Sequence, residues 1–519
     1  MNAALALSSF ERPYGEGRQY FEGIVSLLDS RKGHEMNLSE LERELTKRGL
    51  ELMRQLLQEH LDSRSPGLCV EPVVDEDGIE RLCIRDQHRK VETVFGTVEQ
   101  HRAGYAHEGV KSLHPQDAEL NLPPERYSLE MRRLVALNTA KNSFDEAVET
   151  IDKITGGYVP KRQVEELTQR AAQDYDAFYE RRQGNAEQST KTAPLLVITT
   201  DGKGVVMHEQ DLRDQTRKAA KKSKKKMGTR LSKGEKKSCK RMATVAAVYT
   251  IDPFKRCPED LIAEESGYTS KLKRPKPEQK RVWASLEKEP HQVITETFDE
   301  AHRRDPNNEK RWVALVDGDN TQIDTLKRVA KQRGVNLTII VDIIHVIEYL
   351  WKAGRVFHSK SGPQLEGWVR ERLLGVLNGK ASLIAGGMRR SATLKNLSSE
   401  ARAPIDTCAT YLLNKSPYLH YDQYLSDGLP IATGVIEGAC RHIVKDRLEI
   451  TGAKWRLTSA EAVLRLRALR ASHDFDEYWD FHEACEYKRN HQDLYADGVV
   501  PRTFKNPTSS EKDHLKVIK

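Results

Sequence analysis

The period of the apolar positions changes along the chain, and each change predicts a different kind of element. Leucines at 38, 41, 45, 52 and 56 keep helical spacing behind Asn37-Leu-Ser-Glu40, a cap in which Glu40 reaches back to Asn37. Residues 37–61 are therefore predicted as an amphipathic helix, its stripe facing core or a partner helix. Between 70 and 105 the pattern shortens to strand-like pieces, Glu80–Arg85 and Val91–Phe95, separated by Asp and Gly. Helical spacing returns at Ser128. Asn142-Ser143 opens a second helix that Gly156-Gly157 ends, and Val159-Pro160 opens a third with proline near its first turn. Three short helices with a glycine turn before a basic-starting last one fit a helix-turn-helix module and equally a generic helical linker. The polar stretch Arg181–Thr190 reads as a boundary.

Beyond it the pattern is α/β. Leu195–Thr200 is an apolar run of strand length leading into Asp201-Gly-Lys-Gly204, and Met242–Ile251 is a further strand. Trp312–Val316 leads into Asp317-Gly-Asp-Asn320, a helix spans 321–333, and Leu337–Val341 runs into Asp342-Ile-Ile-His345. Residues 343–428 read as mostly helical. Thr433 starts a helix reaching about Glu449, and Thr458-Ser-Ala-Glu461 caps a last one rich in Leu and Arg. No solenoid-length repeat is visible.

Composition narrows the class. At roughly 150 residues per domain, 519 residues predict about three or four domains. Hydrophobic residues, at 38%, suffice for ordinary cores, whereas a mean hydropathy of −0.66 and the lack of a long apolar run speak against a membrane span. Residues 1–9 have no basic start and too short an apolar stretch for a secretory signal. Seven scattered cysteines, never spaced as CxxC, predict a reducing cytosol with no disulfide framework and no cysteine zinc site. The net charge of +7 hides its distribution: between Arg217 and Arg241, 13 of 25 residues are Lys or Arg and only Glu235 is acidic. Such a run is either a solvated loop or a phosphate-binding arm.

Two strongly apolar strands each lead into Asp-Gly. Strands of an α/β sheet place chemistry at their carboxyl ends, where Asp201 and Asp317 could converge and bind a hard divalent cation. Alternatively each Asp-Gly is turn chemistry alone. A calcium loop counted from Asp317 fails, since Gln322 and Arg328 stand where Gly and Glu are needed. Asp201–Gly204 lacks the spacing of a phosphate-wrapping loop, and no Gly-x-Ser-x-Gly or His-Glu-x-x-His occurs. On the helix 433–449, Val435, Ile436, Ala439, Cys440 and Ile443 share one arc, and Glu437 lies off it with Arg441 and Lys445 following at i+4 steps. That flank is a solvated ion pair or a metal-facing acid beside phosphate-binding cations.

The segments 197–204, 312–319, 342–345 and Gly434-Val-Ile-Glu-Gly438, with Arg447–Trp455 and Ala460–Ala468, form an ordered set. This set resembles the ISKra-type bacterial insertion-sequence transposases, members of the DDE group. The resemblance implies a ribonuclease-H-like catalytic core and Mg²⁺-dependent (or Mn²⁺-dependent) cleavage of transposon ends followed by strand transfer. It implies Asp201, Asp317 and Glu437 as the catalytic and metal-holding acids, with two ions per site, and Asp319 and Asp342 as rivals for the second position. Asp342 is better read as a helix cap, and His345 as an assisting or a structural histidine. The family region near Tyr105 often carries cysteines where this chain has His107 and His114. Lys221, Lys222, Lys224, Lys225 and Lys226, together with Arg441, Lys445 and Arg447, would meet DNA phosphates. Trp455 would stack on an unpaired base or pack in the core. The implied partners are double-stranded DNA, as terminal inverted repeats and target, and further copies of the chain; the implied place is the bacterial cytoplasm, at the nucleoid when acting. Two other readings compete: a ribonuclease-H-like nuclease or resolvase without strand transfer, and a non-catalytic DNA-binding regulator derived from a transposase. The chain divides into a helical segment (1–65), a β-rich region (66–125), a helix-turn-helix-like region (126–185), a first core part with the basic loop 217–241 (190–342), a helical insertion (343–428), a last core part (429–475) and a tail (476–519).

Overall fold

Residues 14–184, 192–222, 239–265, 274–358 and 362–504 are described by a computed structural model of the chain. They belong to two units: one holds the residues up to Tyr175 and those from Phe475 onward, the other Asp176–Asp474. The boundary thus precedes the polar stretch 181–190. The segment after 475 is not a tail, because helix Phe475–Asn490 returns to the first unit, where Glu486 pairs with Arg132 at 2.8 Å.

In the first unit the Asn37 cap forms as expected: Asn37 Oδ1 accepts from Glu40 N at 3.0 Å while Glu40 Oε2 accepts from Asn37 N at 2.9 Å. The helix it opens, Leu38–Arg64, packs on Gly15–Asp29 near Leu56, but Leu38 and Leu45 of the stripe remain exposed. The expected short strands are one long ribbon. β1 (Val73–Val74), β2 (Glu80–Thr93) and β3 (Gly96–Ala106) form an antiparallel sheet, with Val94 and Phe95 as the two-residue turn between β2 and β3. Asp86, His88 and Lys90 are the exposed alternate positions of β2 and conceal its continuity in the sequence. The three helices predicted after Ser128 are Leu129–Thr139, Phe144–Ile154 and Lys161–Ala171, closed around Met131, Val135, Ala147, Ile151 and Val164.

The second unit is a mixed α/β domain on a five-stranded sheet. Its strands are β4 (Leu195–Val206), β5 (Lys240–Ile251), β6 (Glu278–Ser285), β7 (Arg311–Val316) and β8 (Leu337–Val341), in the spatial order β6-β5-β4-β7-β8. β4 pairs antiparallel with β5, and β5 with β6, whereas β4–β7 and β7–β8 are parallel. β6 is absent from the sequence expectation because its first half, Glu278-Gln-Lys-Arg281, is polar; burial begins at Arg281. The central strands are apolar on both faces, as helices lie against them. Residues 343–428 are helical as expected, in Ile343–Phe357, Pro363–Leu377, Ala381–Leu394, Ser399–Lys415 and Tyr421–Ser426. Among the described residues no helix is long and apolar enough to cross a membrane.

Candidate metal centre at the central strand ends

The two Asp-Gly pairs, alike in sequence, differ in structure. β4 does not stop at Asp201. It continues through Gly202-Lys-Gly204 to Val206, paired with β5 from Asp201↔Val245 to Val206↔Lys240. A Cβ on Gly204 would lie 2.8 Å from Lys240 Cδ, and one on Gly202 3.2 Å from Met242 Cε, so these glycines serve a close approach within a strand rather than a turn. Gly318 is a true turn residue, with φ +96° and the Tyr411 hydroxyl 2.9 Å from where a Cβ would stand.

The parallel pairing of β4 and β7 runs toward both aspartates. β4 and β7 pair from Leu195↔Arg311 to Thr199↔Leu315, an offset of 311 − 195 = 116. Asp201 and Asp317 share that offset, 317 − 201 = 116, each two residues past the last pair, Thr199↔Leu315, with Asp317 just beyond the end of β7 at Val316. Residues two apart share a strand face, and adjacent strands lie about 4.8 Å apart. Gln322 braces the same corner, donating through Nε2 to Thr200 O at 2.7 Å and to the Thr200 hydroxyl. From the helical insertion, Tyr411 donates to Asp317 O at 3.1 Å and stacks on Tyr349.

Few donors occupy these carboxylates. Asp201 Oδ1 accepts from Gly202 N at 2.6 Å, and Asp317 Oδ1 from Asp319 N at 2.8 Å. The second contact to Asp201 comes from the helix predicted to carry the last acid. Cys440 Sγ donates to Asp201 Oδ2 at 3.2 Å, and Glu437 is exposed one turn earlier on Gly434–Ala439, which packs against β4 and β5. Burial raises the Cys440 thiol far above its usual range, with the Asp201 and Glu437 charges adding to it and Lys203 opposing. The thiol therefore stays protonated, a hydrogen-bond donor rather than a thiolate. Asp201, Asp317 and Glu437 do not form a closed cluster: among the described residues, the groups with all ligand atoms within 4.8 Å of one another lie elsewhere.

The acid-bearing helix is one continuous run that widens into π turns over Cys440–Lys445 before Asp446–Leu448. π turns leave carbonyls without their usual α-helical donors. Arg467 answers, its Nε donating to Ile443 O at 2.8 Å and its Nη2 to His442 O. Burial lowers the Arg467 pKa to about 10.

The remaining expected residues separate cleanly. Asp342 is a fully buried cap: Oδ1 accepts from Ile344 N at 2.8 Å, and Oδ2 takes the Thr433 hydroxyl and Thr433 N. Asp319 caps Asn320–Arg333 through Gln322 N at 2.9 Å. His345 is half-buried in the first turn of Ile343–Phe357. Lys221 and Lys222 are exposed at the end of helix Asp214–Lys222, while Lys224, Lys225 and Lys226 lie outside the described residues. Arg441 and Lys445 are exposed, Arg441 pairing with Asp446 at 3.7 Å. Trp455 and Arg447 face inward, only 5% and 4% exposed; the indole Nε1 donates to Leu448 O at 3.0 Å, and the Arg447 guanidinium lies 4.8 Å over the ring. Trp455 thus takes the packed alternative, and Arg447, expected at DNA phosphates, lies in the interior beside it. The periodicity carried the signal for Arg447, since 447 − 436 = 11 residues is three helical turns from Ile436. Lys203 and Cys440 were not anticipated. Lys203 shares the Asp201 face of β4 by simple alternation, so that residue was legible.

No protein-family model matches the chain, and no curated protein matches it. Among solved structures, a chain of a "Drosophila P element transposase strand transfer complex" aligns with 9% identity, over 75% of this chain and 85% of that one, at a TM-score of 0.21. A likeness that loose carries no weight for fold or function.

Proposed function

We propose that the second unit is a ribonuclease-H-like DDE core and that the protein is a DNA transposase of the ISKra type, cleaving transposon ends and joining them to target DNA. The observation that carries this reading is that Asp201 and Asp317 each stand two residues past the last pair of parallel β4 and β7, with the Glu437 helix tied to Asp201 through Cys440. The sheet order supports it. Numbered within the unit, the strands lie 3-2-1-4-5, with the first three antiparallel and the last two parallel to the first, and the acids stand on strand 1, after strand 4 and on a later helix.

The donor set fits hard cations. Three carboxylates at a partly open sheet edge, with the nearby thiol protonated, suit Mg²⁺ or Mn²⁺ rather than thiophilic metals. Asp201, Asp317 and Glu437 would hold two such ions, which when bound supply activation of a water or 3′-OH nucleophile and neutralise charge at the phosphate. The chain's own residues do the positioning. Gln322 and Tyr411 fix the strand ends, and Asp342 pins Thr433, the residue from which the Glu437 helix starts. Exposed Lys221, Lys222, Arg441 and Lys445 are the candidate contacts to DNA phosphates. In the helix-turn-helix-like region, Lys161 and Arg162 pair with Asp145 and Glu166 at 2.8 and 3.0 Å and would exchange those partners to meet DNA.

The test uses the full chain, Mg²⁺ and duplexes ending in the inverted repeats that flank its gene. End cleavage together with joining of a pre-cleaved 3′ end to target DNA is the expected result. Cleavage without joining would make it a nuclease, and repeat binding without cleavage a regulator.

A further inference from the structure

Away from the acidic edge, the β2–β3 ribbon of the first unit places a second set of donors together. His88 and His101 are directly opposite in the antiparallel register, their rings edge-on with centroids 4.0 Å apart. Asp86 lies two residues before His88 and Glu99 two before His101, so alternation puts all four on one face of the ribbon. Each imidazole Nδ1 has a carboxylate across the strands: His101 to Asp86 Oδ2 at 3.7 Å, and His88 to Glu99 Oε1 at 3.8 Å. These separations exceed a hydrogen bond, so the donors gather without satisfying one another. The ligand atoms of Asp86, His88 and His101 all lie within 4.8 Å of one another.

We propose that this face of the ribbon binds a single divalent transition-metal ion of the zinc class through His88 and His101, with Asp86 and Glu99 completing the shell. The chemistry selects the ion. Two imidazole nitrogens with two carboxylate oxygens match zinc and its neighbours and disfavour Mg²⁺, which prefers an all-oxygen octahedron. Side-chain exposures of 36–56% leave the cluster open to ions from solution and its side chains free to change rotamer around one. The buried group Asp174, His482 and Glu486 makes an instructive contrast. There Arg132 Nη1 sits 3.0 Å from His482 Nε2 and 2.8 Å from Glu486, so a guanidinium already fills the place of a cation.

The experiment titrates untagged, chelator-stripped full-length protein with Zn²⁺ by calorimetry in excess Mg²⁺, and with Co²⁺ by visible absorption. One equivalent of Zn²⁺ and a Co²⁺ spectrum of nitrogen and oxygen ligation are expected. His88→Gln and His101→Gln should each weaken binding by at least the roughly 10–100-fold that loss of an outer-shell partner costs. Both sites are on the surface, so the variants should keep the wild-type circular dichroism spectrum and thermal midpoint in the absence of metal. Absence of Zn²⁺ binding would overturn the proposal, as would undiminished binding in the two variants. So would a thiolate charge-transfer band with Co²⁺, or loss of the site in His482→Gln instead.

Discussion

Carboxylates occupy two regions of the five-stranded sheet and live under opposite conditions. Flanking β6, Glu300 receives Arg281 at 2.8 Å, Arg303 at 3.0 Å and Arg304 at 2.6 Å, and Glu461 accepts from Ser285 Oγ and Leu286 N, both at 2.7 Å. They are 2% and 3% exposed, and their oxygens are committed to the fold. Within β4 and just past the end of β7, Asp201 and Asp317 are half-exposed and each accepts one backbone N–H, while Glu437 is open to solvent. Acids spent on arginines and backbone donors are structural. Acids that accept few bonds beyond the paired part of β4 and β7 are the ones proposed to hold metal.

Substitution should separate the two regions most sharply through activity. On the proposed function, Asp201→Asn, Asp317→Asn and Glu437→Gln each remove a metal-holding charge, and cleavage of repeat-ended DNA should fall on the order of 10³-fold or more, worth several kcal/mol of transition-state stabilisation. Their unfolding midpoints in urea should stay within about 0.5 kcal/mol of wild type, as for surface positions outside buried networks. Cleavage retained in Asp317→Asn would remove that residue from the site. Glu300→Ala reverses the pattern. Deleting the carboxylate that three buried guanidiniums share should cost about 3–5 kcal/mol in urea unfolding, and the turnover of the molecules still folded should be unchanged.

How much of this contrast the sequence foretold follows from the range of the interactions. Local signals carried well: the Asn37 cap, the β4, β7 and β8 runs, and Asp342 as a cap all depend on neighbours within a few residues. Asp201 and Asp317 stood out because Asp-Gly follows apolar strands, yet the same dipeptide proved to be a strand interior in one case and a turn in the other. Only the pairing of Gly202 and Gly204 with Met242 and Lys240 decides between them, and that contact spans some forty residues. β6 was hidden by its charged first half, and the Cys440–Asp201 bond links residues 239 apart. Arg447 was read toward DNA and Trp455 was left open, because a cation and an aromatic ring suit nucleic acid and a packed interior equally well.

Asp342 stands between the two regions, buried like Glu300 but joined to the acid-bearing helix through Thr433. Asp342→Ala should cost about 2 kcal/mol in urea unfolding, combining a lost cap with a lost buried hydrogen bond. Cleavage by the folded fraction should fall as well, because the start of the Glu437 helix loses its anchor. Unchanged cleavage at that loss of stability would make Asp342 a cap and nothing more. Asp342→Asn, which can still cap, should recover much of the stability.

The finest division lies within the β6 region itself and is read by pH. Burial pushes the Glu300 carboxyl up, but Arg281, Arg304 and Arg303 outweigh it and hold the folded pKa well below the usual carboxylate value of 4.5. Its stabilisation is therefore complete above pH 4.5 and is lost as the pH falls toward the folded pKa. For Glu461 burial prevails over the donors from Ser285 and Leu286, and the folded pKa lies above 4.5. Falling pH then protonates the folded state before the unfolded one, so this residue adds stability as the medium is acidified from neutrality toward 4.5. Urea midpoints measured from pH 7 to 3 should show Glu461→Gln losing ground to wild type between neutrality and pH 4.5. The wild-type advantage over Glu300→Gln should instead hold steady to about pH 4.5 and shrink below it. If both variants track wild type with the same slope, the two buried carboxylates are not held in opposite states, and the division within this region fails.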